Sequence, residues 1–321
     1  MTGPDNARDA TEHTVSTEAD ALKLLSKLSP EHPQLKFWHS WAEQQFKVCD
    51  WLPQLQQAMT IAYARMALRN GKLSANPRSY HNEHHINDLL LRITYCAEHA
   101  APKLSSEGLA VLCFFAACHD LRQAETQDDM AERSLVGVNE QASYQEALRI
   151  IDLSDTCKLW SQHNRLLLKT MIEGSTFGSG GQYSHNFFQG NLSVHLLQQL
   201  HLPDPQDEQL VLLACDLDTA NVSLPINQFA ESAVRIYDEL QAHHNPDISA
   251  HQFFSQQQKI YFFEQQKFNS TLTKKLFQPH KDLNEKPLMT LSDHIKNLPE
   301  NTPATDIKSA FLNKANELAA L

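Results

Sequence analysis

The chain is poor in the residues that turn-rich β folds and oxidised proteins depend on. It has 9 glycines in 321 residues, and aromatic side chains make up 8%. Tight hairpins need glycine where φ is positive, so this composition argues against an all-β architecture. The six cysteines, Cys49, Cys96, Cys113, Cys118, Cys157 and Cys215, include no C-x-x-C pair. A thiolate zinc site is therefore not expected. Several of these cysteines sit in apolar runs, where a reduced thiol acts as a small hydrophobe. No apolar run approaches the ~20 residues that a membrane helix needs. Positive charge is also scarce: 27 basic residues face 38 acidic ones, a formal net charge of −11. Such a surface repels phosphate backbones, so nucleic acid is not an expected partner. Met1 to Asp20 is polar and lacks a basic-plus-apolar leader pattern. The expectation is a cytoplasmic protein with no membrane partner and a disordered stretch over residues 1–18. Its oligomeric state is left open.

Leu, Ala, Gln, Glu and Lys are plentiful, and all favour helix. Apolar residues recur at helical spacing from residue 21 onward, with no strand ladder. The fold class expected is all-α. Residues 19–75 read as a helical extension packing on a core at 76–270. Residues 271–321 read as a polar C-terminal segment with one last helix, Asp306 to Leu321, which Thr305 could cap. Gly174 to Gly190 reads as a loop.

The apolar run Leu109 to Cys118 ends in His119-Asp120. A carboxylate at the end of such a run is costly unless something pairs with it. A divalent cation is one partner, and other ligands are at hand. His81 and His85 lie four apart, on one face if both are helical. Asp216 supplies a distant carboxylate, with Asp218 as its rival. Two imidazoles and two carboxylates make a mixed nitrogen–oxygen site that suits Mn, Fe, Zn or Mg with water in the open positions. Water on such an ion becomes a hydroxide nucleophile near neutral pH.

The pattern H…HD…D resembles the HD superfamily of metal-dependent phosphohydrolases. Tyr80-His81-Asn82-x-x-His85-x-x-Asp88 is similar to the opening signature of cyclic nucleotide phosphodiesterase catalytic domains. Ala214-Cys215-Asp216-Leu217 is similar to their later metal-binding segment. Arg78-x-Tyr80-His81, His119-Asp120 and Glu132-Arg133-Ser134 together resemble a bacterial branch of HD phosphohydrolases. The resemblance spans about Pro77 to Leu224.

It implies an HD-domain helical bundle with His85, His119, Asp120 and Asp216 as metal ligands. Asp120 would bridge a second ion where one binds. His81 would be the general acid. Arg78 or Arg133 would hold phosphate and Glu132 would orient water. The implied activity is hydrolysis of a phosphate ester by metal-activated hydroxide. The implied substrate is a small phosphorylated molecule, a nucleotide or cyclic nucleotide first. The chain departs from the phosphodiesterases after the HD pair, where Leu121-Arg122-Gln123-Ala124 contains no histidine. One metal site is therefore expected before two. A catalytically idle nucleotide- or partner-binding sensor or scaffold is the alternative.

Overall fold

A computed structural model describes residues 8–29, 34–125, 135–154, 158–179, 189–200, 202–243 and 248–320. The chain folds as two units, Met1–Thr176 with Leu192–Cys215, and Phe177–Asn191 with Asp216–Leu321. Both are helical, as expected. No helix among the described residues is long and apolar enough to cross a membrane.

The first unit opens with α1 (Ala10–Thr14), α2 (Glu18–Leu25), α3 (Gln34–Gln45) and α4 (Leu52–Arg69). It continues with α5 (Glu83–His99), α6 (Ser106–Cys118), α7 (Val138–Ser154), α8 (Gln162–Gly174) and α9 (Ser193–Gln199). It also holds most of α10 (Pro205–Asp218). α6 is its central rod. Ser105 caps it by accepting from the Gly108 amide at 3.1 Å. Every residue from Gly108 to Cys118 is buried. A helix apolar on all sides belongs in the middle of a core, with α4, α5, α7 and α8 packed around it. α4 is buried almost as completely, from Ala58 to Ala67.

The second unit contains α11 (Ile226–His243), α12 (Ala250–Gln252), α13 (Gln258–Ile260), α14 (Thr271–Leu276), α15 (Gln278–Lys296) and α16 (Ala304–Ala319). Phe229, Phe254, Phe262, Leu288, Leu291, Ile307 and Phe311 form its core, each fully buried. The only strands among the described residues, β1 (Phe177–Ser179) and β2 (Gln189–Asn191), pair antiparallel, with Gly178 opposite Gly190. Gly190 has φ +83°, and a Cβ there would lie 2.6 Å from the Gln265 carbonyl oxygen, so only glycine fits.

Several elements differ from expectation. Part of the stretch expected to be disordered is ordered: α1 is helical, with Glu12 and Val15 buried. Glu12 is buried because arginines surround it, a long-range pairing that local composition does not show. The Gly174–Gly190 loop carries the two short strands at its edges. The helical stretch from Ala250 to Gln265 contains π turns at Phe253–Gln257 and Tyr261–Gln265. The C-terminal segment is more structured than its polarity suggests. α15 runs 19 residues with Leu288, Leu291 and Ile295 buried. α16 begins behind Pro303 rather than at a Thr305 cap.

Candidate metal centre

α6 ends at Cys118, and His119 is its C-cap. The His119 amide still donates to the Phe115 carbonyl at 3.0 Å, so the imidazole is fixed by the last turn. His119 Nδ1 lies 3.2 Å from the same carbonyl oxygen. In a neutral ring, donation there leaves the lone pair on Nε2. That Nε2 faces Asp120 Oδ2 at 3.0 Å. His85 Nε2 approaches the same oxygen at 3.5 Å. An imidazole nitrogen this close to a carboxylate oxygen either shares a proton with it or leaves that place to a cation. Both imidazoles are buried, and Asp120 is 9% exposed.

His85 arrives from the first turn of α5. Asn82 caps that helix, accepting from the His84 amide at 2.9 Å and donating to the Arg78 carbonyl at 2.8 Å. His81 therefore precedes the helix, and the shared helical face expected for His81 and His85 does not exist. A turn brings them together instead, with ring centroids 5.9 Å apart. His81 is half-buried and His84 is exposed.

Arg78 is buried, and its guanidinium donates to the Gln123 carbonyl at 2.6 Å. Gln123 Nε2 in turn donates to Asp120 Oδ1 at 2.8 Å. Arg78 is thus linked to the Asp120 carboxylate through Gln123. Gln123 was not anticipated: it lies past the end of α6, where helical spacing no longer tells which side chains meet. Glu132 and Arg133 lie outside the described residues.

The fourth candidate ligand, Asp218, is the last residue of α10. The body of that helix is fixed within the first unit. Leu210 meets the α6 backbone at Gly108, where a Cβ would come within 2.8 Å of the leucine. Cys215 Sγ donates to the Met171 carbonyl at 3.5 Å. The continuous helix then carries Asp218. His85, His119, Asp120 and Asp218 each offer one ligand atom, and these atoms lie within 4.8 Å of one another. Ion–ligand distances of about 2.0–2.3 Å place opposite ligands roughly 4–4.6 Å apart, so the donor set fits a divalent ion.

Asp216, expected as the last ligand, is not in this group. It is fully buried, and its Oδ2 accepts from the Asn269 amide at 2.8 Å, the Ser270 amide at 2.7 Å and the Thr273 hydroxyl at 2.5 Å. Burial pushes its carboxyl up to about 6, against the lowering effect of those donors. Asp216 and Asp218 lie about 200° apart around a helix of 3.6 residues per turn, so they cannot face one site.

Among the described residues, no cysteine belongs to this group. Cys49, Cys96, Cys113, Cys118 and Cys215 form no disulfide. Burial pushes Cys96 and Cys113 up to about 12. No protein-family model matches the chain, and no curated protein matches it either.

Proposed function

We propose that the protein is a metal-dependent phosphohydrolase of the HD superfamily, cleaving a phosphate ester of a nucleotide or cyclic nucleotide. The observation that carries this reading is the convergence of His85, His119, Asp120 and Asp218 within 4.8 Å. Such a set holds Mn, Fe, Zn or Mg and leaves positions open. A bound ion would supply Lewis acidity and lower the pKa of water.

The chain's own residues do the rest. Phe115 fixes the His119 tautomer, and Gln123 fixes the Asp120 carboxylate. His81 stands outside the ligand group, half-buried, with its ring edge-on to His85. It holds a proton for the departing oxygen of the substrate. Arg78 favours a second reading. Its guanidinium holds Gln123, so the phosphate contact expected of it is weakened. An idle HD protein that binds a nucleotide or a partner fits that feature.

Metal analysis joined to turnover tests both. The Mn-loaded protein should hydrolyse bis-p-nitrophenyl phosphate or a cyclic nucleotide. His81→Ala should keep its metal and lose rate by roughly 100-fold or more. Asp120→Ala should lose metal and activity together. Full metal occupancy in Asp120→Ala overturns the ligand assignment. Bound metal with no turnover on a broad phosphate panel favours the binding module.

A further inference from the structure

Behind the turn that carries Asp120 lies a buried network of charges within the first unit. Glu12, from the short N-terminal helix α1, has a side chain only 1% exposed. Arg149 grips both its oxygens, at 2.7 and 2.6 Å, and Arg65 and Arg122 reach it at 3.3 and 3.4 Å. Asp9, the N-cap of α1, takes the Arg69 fork through Nε and Nη2 at 2.8 and 2.9 Å. Glu146, fully buried, links Arg65, Arg69 and Arg122 from the opposite side.

This network reaches the metal-ligating turn at defined atoms. The third arm of Arg69, Nη1, donates to the Leu121 carbonyl at 2.9 Å. Asn70, next in sequence, donates to the carbonyls of Asp120 and Leu121, both at 3.3 Å. The Arg122 amide donates to Ser143 Oγ at 3.0 Å while its guanidinium pairs with Glu12 and Glu125. The backbone on the C-terminal side of Asp120 is therefore held by groups whose charges are balanced by α1.

We propose that Asp9 and Glu12 are positioning residues for the metal centre, acting through Arg69 and Arg122 on the backbone of Asp120 to Arg122. The proposal rests on the metal reading of the site. Its physical basis is that a buried guanidinium stripped of one carboxylate turns toward whichever remains. Here that is Glu146, already 3.0 Å from Arg69 and 3.5 Å from Arg122. A swing of Arg69 toward Glu146 withdraws Nη1 from the Leu121 carbonyl. A corresponding swing of Arg122 strains its amide bond to Ser143. Both loosen the turn that aims Asp120 Oδ2 at His85 and His119. Partners of metal ligands tune affinity in this way, by about 10–100-fold when removed.

The test uses the full chain carrying Asp9→Asn and Glu12→Gln, singly and together. Mn²⁺ affinity is measured by calorimetric titration well below the melting temperature. The double variant should bind Mn²⁺ roughly tenfold more weakly than wild type. Leu159→Ala, fully buried in the first unit beside Asn164 and so near Glu107 at the far end of α6, serves as a control for general destabilisation and should leave the affinity unchanged. Equal affinity in wild type and double variant overturns the proposal, as does an equal loss in the control. A wild type that takes up no metal removes the metal reading and with it the affinity arm. Amide exchange of the apoproteins then decides: faster exchange confined to residues 119–122 in the double variant supports the positioning role, and unchanged exchange overturns it.

Discussion

The Thr273 hydroxyl lies 2.5 Å from Oδ2 of Asp216, the shortest of three hydrogen bonds to that oxygen. Asp216 is thereby committed to its own unit, fastening the end of α10 to the start of α14. Asp218 follows two residues later and is half-buried. The short spacing conceals two different settings: Asp216 is held by hydrogen bonds, and Asp218 belongs to a group of four that could hold a metal ion.

Substitution should separate the two. Asp216→Asn replaces an oxygen acceptor with a donor amide among fixed N–H and O–H groups. It should cost about 1–3 kcal/mol in urea unfolding and leave metal uptake intact. Asp218→Asn should do the reverse, reducing metal uptake with little change in stability. Metal lost from Asp216→Asn but retained by Asp218→Asn would reverse the ligand assignment.

The C-terminal helix should matter as much to the second unit as any element nearer the site. Phe311 is fully buried in α16, with its ring centroid 4.6 Å from that of Phe254. Phe311→Ala should destabilise the protein by about 3–5 kcal/mol in urea or thermal unfolding. A loss below about 1 kcal/mol would mean that α16 is peripheral to this core.

How far the sequence could be read follows from the range of each interaction. The helical class was legible because helix propensity and apolar spacing are local. The end of α6 at His119-Asp120 was legible for the same reason, since a run apolar on all sides must stop where charge begins. His85 stood out by its spacing from His81, although the turn set by Asn82, not a shared helix face, brings the two together. The choice between Asp216 and Asp218 was not legible. It depends on Asn269, Ser270 and Thr273, more than fifty residues away, filling one oxygen. The burial of Glu12 was hidden likewise, because its partners Arg65, Arg122 and Arg149 are distant in sequence. In α16, apolar residues on one face are diluted by polar ones on the other. Average polarity over that segment gave no sign that Ile307, Phe311 and Ala315 are fully buried.

Lys281 should give the second unit a stability that rises with pH. Its ammonium is buried in α15, donating to the Gln266 carbonyl at 2.6 Å and standing 5.0 Å from the centre of the Phe262 ring. Burial and, less strongly, the charge of Lys267 push it down to about 8 from 10.5, against the opposing pull of Asp282 and Glu285. Below pH 8 the lysine is charged in both folded and unfolded chains, and the fold bears the full penalty of burying it. Between about 8 and 10.5 the folded chain has released the proton that the unfolded chain still holds. The unfolded state then binds more protons, so stability rises with pH across that window. Above 10.5 both forms are neutral and the gain is complete. A shift of this size corresponds to at most about 3 kcal/mol. Lys281→Met keeps the aliphatic stem and removes the titration. The difference in unfolding free energy, wild type minus Lys281→Met, should therefore grow between pH 8 and 10.5 in urea titrations. A difference that stays flat across that range would show that Lys281 keeps an ordinary affinity for its proton in the folded chain.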